Sequence, residues 1–214
     1  MKILLVAATK NEIELILSSF EEKTSFYKYK EHKIYTLVTG VGIAATAYSL
    51  GQCFAKDNFD IAIQAGIAGA YEKNIALGQV YHVLSDRFLY FGAEDVEFVT
   101  AAKLQLGVKE DIYYATYNNM LPSLTSLKKA KAITSNTIHS EEEGIEKIIE
   151  MYQPQVENME GASFFYACKQ SKIPCLQIRA ISNYVTKRNK NNWNIALAQE
   201  NLTKTIIQII NDLK

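Results

Sequence analysis

Val156-Glu-Asn-Met-Glu-Gly-Ala-Ser-Phe-Phe165, followed by Ile173-Pro-Cys-Leu-Gln-Ile-Arg-Ala-Ile-Ser-Asn183, decides the fold class of this chain. The first stretch reads as a helix opened by a carboxylate, Glu160. The second reads as a buried strand that ends on a polar residue, Asn183. In an open α/β sheet the C-terminal ends of the strands and the N-termini of the following helices border the ligand crevice. Glu160 and Asn183, carried by successive elements, are therefore expected to converge on one small molecule.

Working outward, strand-type and helix-type segments alternate, the pattern of an α/β sandwich. Residues 3–8 read as a strand and 10–20 as a helix with Ile13, Leu15, Ile16 and Leu17 apolar. Residues 26–29 and 33–39 form a β pair with His32 near the turn. Gly40-Val-Gly42 is a glycine turn into a helix that runs to about Ala55. Residues 59–64 read as a short apolar strand, 65–70 as the loop after it, and 78–84 and 87–90 as two further strands. Residues 92–125 are loop-rich and carry Tyr113, Tyr114 and Tyr117. Strand 130–134, helix 141–151 and the amphipathic helix 195–213 complete the reading. With three prolines and no Ser/Gly tract there is no visible linker, so residues 1–214 are expected to form one domain.

Composition excludes several classes. Apolar residues make up 48% and charged residues 21%, ordinary for a soluble globular protein. Lys+Arg and Asp+Glu are equal at 23 each, so no net field recruits nucleic acid or a membrane surface. Cys53, Cys168 and Cys175 form no C-x-x-C pair, and His32, His82 and His139 show no ligand spacing, so neither a metal nor a disulfide is expected. The apolar opening 2–7 is too short for a secretion signal, and nothing approaches the ~20 apolar residues of a membrane span. A cytoplasmic location follows as the expectation.

Several residues carry two readings. Gly40-x-Gly42 before a helix could cradle an anion on free N–H groups or simply make a tight turn. Gly66-Ile-Ala-Gly69 after a strand either admits a ligand close to the backbone or packs turn against helix. Glu12, in the first turn of the first helix, is a dipole-favoured acid or a general base at the sheet edge. Glu160 is a helix-cap acid or a ligand-gripping carboxylate, and Asn183 is a turn residue or a hydrogen-bonding group. Taken together, three polar groups at three sheet-edge positions make a pocket.

Four motifs then occur in order: Lys2-Ile-Leu-Leu-Val-Ala-Ala-Thr-Lys-Asn-Glu12, Gly66-Ile-Ala-Gly69, Asn158-Met-Glu-Gly-Ala162 and Arg179-Ala-Ile-Ser-Asn183. In these the chain resembles, over nearly its full length, the nucleoside phosphorylase/nucleosidase superfamily. Gln64-Ala-Gly-Ile-Ala-Gly-Ala70, Ile133-Thr-Ser-Asn-Thr-Ile-His139 and Ser182-Asn-Tyr-Val-Thr-Lys-Arg-Asn189 with Trp193 look most like its futalosine hydrolase branch. The resemblance implies a three-layer α/β/α sandwich with a mixed, largely parallel central sheet, no cofactor, a small purine nucleoside as ligand, and a homodimer or larger homo-oligomer. By it, Glu12 stands at the position of the base that activates water. Glu160 stands at the carboxylate that grips the ribose hydroxyls. Ile67, Ala68 and Gly69, Asn136, Thr137 and Ile138, and Asn158 and Met159 are implied to line ribose and purine. Arg188 is a candidate partner for a substrate carboxylate, with a surface cation as the rival reading.

Two departures from the family pattern inform the chemistry. Adenine-specific members carry an aspartate where this chain has Asn183. A 6-oxopurine presents acceptors at both O6 and N7, and an amide NH2 donates to either without a change of protonation. Phosphorylases of the superfamily place an arginine and a serine for phosphate around the glycine motif. Gln64 and Ile67 stand there instead, and a bound phosphate would lose a contact worth roughly 1.5–3 kcal/mol. Hydrolysis of a 6-oxopurine nucleoside is the expected activity. A methylthioadenosine/S-adenosylhomocysteine or aminofutalosine nucleosidase, a nucleoside phosphorylase and a silent nucleoside-binding protein remain as alternatives.

Overall fold

The computed structural model describes residues 1–94, 97–117, 119–187 and 189–214. Its elements run in the order β1 (Lys2–Ala7), α1 (Lys10–Leu17), β2 (Glu21–Glu22), β3 (Tyr27–Tyr29), β4 (His32–Val38), α2 (Ile43–Lys56), β5 (Ile61–Ala70) and β6 (Val80–Phe88). There follow β7 (Gly92–Glu94), β8 (Phe98–Thr100), β9 (Tyr113–Tyr114), α3 (Pro122–Thr125), β10 (Lys128–Thr134) and α4 (Glu142–Tyr152). The chain closes with β11 (Val156–Asn158), α5 (Gly161–Ser171), β12 (Cys175–Tyr184) and α6 (Ile195–Asp212).

One sheet carries the order β11-β10-β6-β12-β5-β1-β4-β3-β2, with β9 alongside β6. Its centre is largely parallel: β12 with β5, β5 with β1, and β1 with β4. The pairing of β12 with β6 is antiparallel, which makes the sheet mixed. β11 pairs with β10 on one side and antiparallel with the far end of β5 on the other, so this end of the sheet folds back on itself. The near-continuous apolar run Ile3–Ala7 is buried on both faces, as a covered parallel strand requires. Leu50 of α2 and Phe164, Phe165 and Cys168 of α5 pack on one face. Ile13 and Ile16 of α1, Leu124 of α3, and Leu202, Ile206 and Ile209 of α6 pack on the other. Three layers result, as the sequence predicts.

The structure corrects three boundaries. Residues 65–70 are not a loop: β5 continues to Ala70, because β12 pairs with it as far as Tyr184 and β11 caps its far end. The glycines there are needed for close approach, not for a turn. Residues 78–90 hold the single strand β6 in place of the two expected, with β10 pairing along its length through a register shift at Ala130/Lys131. Helix α1 ends at Leu17, three residues early, because Ser19 and Phe20 donate to Ile16 and Leu17 in tightened turns.

Beneath the crevice a buried polar network joins β6, β10, β11, β12 and α5. Asp86 Oδ2 accepts from Asn158 Nδ2 at 2.7 Å and Gln177 Nε2 at 3.2 Å, while Oδ1 accepts from the Thr134 hydroxyl at 2.9 Å. Burial pushes the Asp86 carboxyl up to about 6, against the pull of these donors. The Thr134 oxygen in turn accepts from the N–H of Ala162 at 2.8 Å, which fixes the first turn of α5. Gly161 makes this contact possible, since a Cβ there would meet Asp86 Oδ2 at 2.1 Å and the Gln177 amide at 2.5 Å. Replacing Gly161 with Ala is expected to destabilise the protein by about 1–3 kcal/mol through overpacking. Gly51, inside α2 with no atom within 4 Å of an added Cβ, is the control; Gly51→Ala is expected to stabilise by about 0.5–1 kcal/mol. Urea denaturation of the two variants reads both signs.

Candidate active site

A cavity of about 380 Å³ opens at the C-terminal ends of β1, β5 and β12, a size suited to a small organic ligand. Of the residues singled out from the sequence, Glu12, Ile67, Ala68 and Gly69 line it. Ile138, Asn158, Met159, Glu160 and Asn183 complete its sequence-predicted wall. Asn136 and Thr137 are not among the lining residues. Asn136 Oδ1 instead accepts from the N–H of Ile43 at 3.0 Å, tying its loop to the start of α2, and the Thr137 N–H is committed to Ser135 Oγ. Arg188 lies outside the described residues.

Glu12 occupies the third position of α1 and reaches back to the helix start. Its Oε2 accepts from the Thr9 N–H at 2.9 Å and the Thr9 hydroxyl at 3.1 Å, half of a reciprocal cap. Its Oε1 accepts from the Ile67 N–H of β5 at 3.2 Å. The dipole-favoured acid and the cavity-facing carboxylate are thus one and the same arrangement. Three donors fix the carboxylate, and it still faces the cavity.

Glu160 caps α5 and is 4% exposed. Its Oε1 accepts from the Gly42 N–H at 3.2 Å, and its Oε2 lies 3.5 Å from Arg179 Nη2. The anion held by the Gly40-Val-Gly42 turn at the start of α2 is therefore the protein's own carboxylate. Both glycines have left-handed backbone, with φ of 82° and 97°, which disfavours any other residue. Burial raises the Glu160 pKa, Arg179 opposes the shift, and the charge on Glu12 adds to it.

Arg179 was quoted in a sequence motif but assigned no role. Among the described residues it is the largest fully buried side chain, and it donates to Gln177 Oε1 at 3.1 Å and Asn158 Oδ1 at 3.2 Å. The same Asn158 oxygen accepts from the N–H of Glu160 at 2.9 Å. Asn158 lines the cavity, but its amide is engaged inside the protein, so it positions Glu160. Gly66 makes room for the guanidinium: a Cβ there would meet Arg179 Nη1 at 2.3 Å and Glu12 Oε1 at 2.9 Å. The available signal was an arginine inside an otherwise apolar strand, where an unpaired charge is not tolerated.

Asn183 reaches the cavity through a β-bulge. The pairing of β12 with β5 shifts between Ile181 and Asn183, which sets Asn183 opposite Gly69 and leaves Ser182 extra. The Ser182 hydroxyl donates to Asn183 Oδ1 at 2.8 Å, and Asn183 Nδ2 donates to the Tyr184 carbonyl at 3.1 Å. One lone pair of the amide oxygen is thereby engaged, and one N–H is left for a ligand. Gly69 has no Cβ to crowd it, since one built there would lie 3.2 Å from Asn183 Nδ2. His139, Glu157 and Trp193 also line the cavity. Among the described residues no cluster of His, Cys, Asp and Glu could hold a metal ion, and no helix is long and apolar enough to cross a membrane.

Comparison with known proteins agrees with the fold. The futalosine hydrolase of Thermus thermophilus is 26% identical over 185 residues, covering 81% of this chain and 80% of that protein. The aminodeoxyfutalosine nucleosidase of Campylobacter jejuni is 22% identical over 196 residues, covering 86% of each. The structure of the futalosine hydrolase of Helicobacter pylori superposes with a TM-score of 0.80 at 16% identity, over all of this chain and 98% of that one, a likeness of fold. The family model described as the phosphorylase superfamily matches residues 2–211, and this chain belongs to that superfamily.

Proposed function

We propose that this protein hydrolyses the N-glycosidic bond of a purine nucleoside, with futalosine as substrate and hypoxanthine and dehypoxanthinylfutalosine as products, a step of menaquinone biosynthesis. The observation that carries the reading is the convergence of Glu12, Glu160 and the amide of Asn183 on one cavity. The relation to the Thermus futalosine hydrolase supports it. A cytoplasmic location and a homodimer or larger homo-oligomer belong to the same reading, and the exposed apolar side chains Val38 and Tyr48 support the oligomer.

Cleavage of this bond passes through a ribosyl cation with oxocarbenium character. Glu160, held as an anion by Arg179 and the Gly42 N–H, grips the ribose hydroxyls and stabilises the developing positive charge. Glu12 orients a water and takes its proton as the oxygen bonds to C1′. The electron pair of the broken C1′–N9 bond stays on the purine. The free N–H of Asn183 stabilises that charge by donating to N7 or O6. Gln64 and Ile67, in place of a cationic phosphate site, favour water over phosphate as nucleophile.

Four measurements test this. Incubation with futalosine should release hypoxanthine at a rate independent of added phosphate; a sugar 1-phosphate product, or release of base only from adenine nucleosides, would refute it. Glu12→Gln is expected to lower kcat by about 10²–10⁴-fold with little change in stability, whereas Asn183→Asp should shift preference toward 6-aminopurines. Glu160 has to be ionised to act, and burial raises its pKa. The rate should therefore fall with decreasing pH at a midpoint above the ordinary glutamate range. A kcat/KM profile that is flat down to that ordinary range would contradict the role given to Glu160.

A further inference from the structure

Three linked side chains, two at the cavity wall and one behind it, take no part in this mechanism. The hydroxyl of Tyr71, just after β5, donates to Glu157 Oε2 at 2.6 Å. His139 Nδ1, in the loop after β10, lies 2.8 Å from the same oxygen. Glu157 and His139 line the cavity, and Tyr71 and Glu157 are almost wholly buried. Burial, then the charge of Glu157, raises the Tyr71 pKa, so its hydroxyl stays a donor. A carboxylate only accepts, and therefore Nδ1 carries the hydrogen of the His139–Glu157 bond. In the neutral ring Nε2 is then left with a lone pair, an acceptor. Among the described residues no protein group bonds to it.

The strand register places Glu157, the anchor of this acceptor, relative to Asn183. Gly69 lies opposite Glu157 on β11 and opposite Asn183 on β12. Two strand spacings set the Cα atoms of Glu157 and Asn183 roughly 10 Å apart, and His139, held by Glu157, lines the same cavity as Asn183. One wall offers an amide donor and the other an imidazole acceptor. A 6-oxopurine is the complement, with acceptors at O6 and N7 and a hydrogen on N1. Adenine keeps the N7 acceptor but has a donating amino group at C6 and a bare N1.

We infer that His139 Nε2 accepts the N1–H of a 6-oxopurine, so that the Tyr71–Glu157–His139 chain selects the base independently of Asn183. This rests on the purine nucleosidase reading above. It makes His139 a residue that touches substrate, with Glu157 and Tyr71 as positioning residues that set its tautomer.

The test compares the parent protein, His139→Leu and His139→Gln on futalosine and aminodeoxyfutalosine, alongside calorimetric binding of free hypoxanthine and adenine. His139→Leu leaves the N1–H unpaired and should lower kcat/KM for futalosine by about 10- to 100-fold. The 6-amino substrate should change by no more than about threefold. His139→Gln, whose amide oxygen accepts, should recover part of the preference. Hypoxanthine affinity should fall with it, and adenine affinity should not. An equal loss for both bases would overturn the inference, as would 15N spectra of the parent protein showing the hydrogen on Nε2. Should the parent protein cleave neither nucleoside, the functional reading fails alone. The hypoxanthine and adenine affinities then decide: a loss confined to hypoxanthine supports the inference, and unchanged or equally reduced affinities refute it.

Discussion

The site depends on a guanidinium buried inside a β-sheet. Arg179 is 1% exposed, and a charge so placed is tolerated only when paired and hydrogen-bonded. Its partners are Glu160, Asn158 and Gln177, and each of them is itself buried. Removing one member of such a pair strands the other charge, at a cost of several kcal/mol. The arrangement therefore gives little freedom to Glu160. Its carboxylate is held between Arg179 and the N–H of Gly42, one contact from β12 and one from the start of α2. Even with these partners burial keeps its pKa above the usual value, because desolvation outweighs the neighbouring cation.

Absent side chains shape the surroundings of that pair. Gly66 leaves space for Arg179 and Glu12 to approach β5 together, and Gly161 lets α5 begin against Asp86 and Gln177. Gly69 stands between Asn183 and Glu157 on the flanking strands. A strand with two glycines would be weak alone. Here it is paired along its length by β12, over Ile61–Gln64 by β1 and at its end by β11, so packing and ladder bonds offset the entropy lost in ordering glycine. The bulge at Ser182 then turns Asn183 toward the cavity and supplies the hydroxyl that donates to its amide oxygen.

Much of this was legible in the residues. The apolar runs of β1 and β12 and the amphipathic face of α6 mark their elements through periodicity, a local property of the chain. Glu12, Glu160 and Asn183 stand out because polar groups at the ends of buried strands and starts of helices have one shared destination in an α/β sheet. The continuation of β5 through residues 65–70 was not legible, since glycines that signal a turn locally serve here as clearance for side chains distant in sequence. The same holds for Asn136, whose side chain turns to the N–H of Ile43 and away from the cavity.

The amino-acid sequence by itself determined the layered α/β class and which polar side chains reach the sheet edge, because both follow from short-range pattern. Only the tertiary structure decided how those side chains are held. The pairing of Arg179 with Glu160, the hub at Asn158 and the chain from Tyr71 through Glu157 to His139 each join residues from separate elements. Hydrogen bonds of that kind depend on strand register and on space left by glycines, and neither is set until the whole sheet has formed.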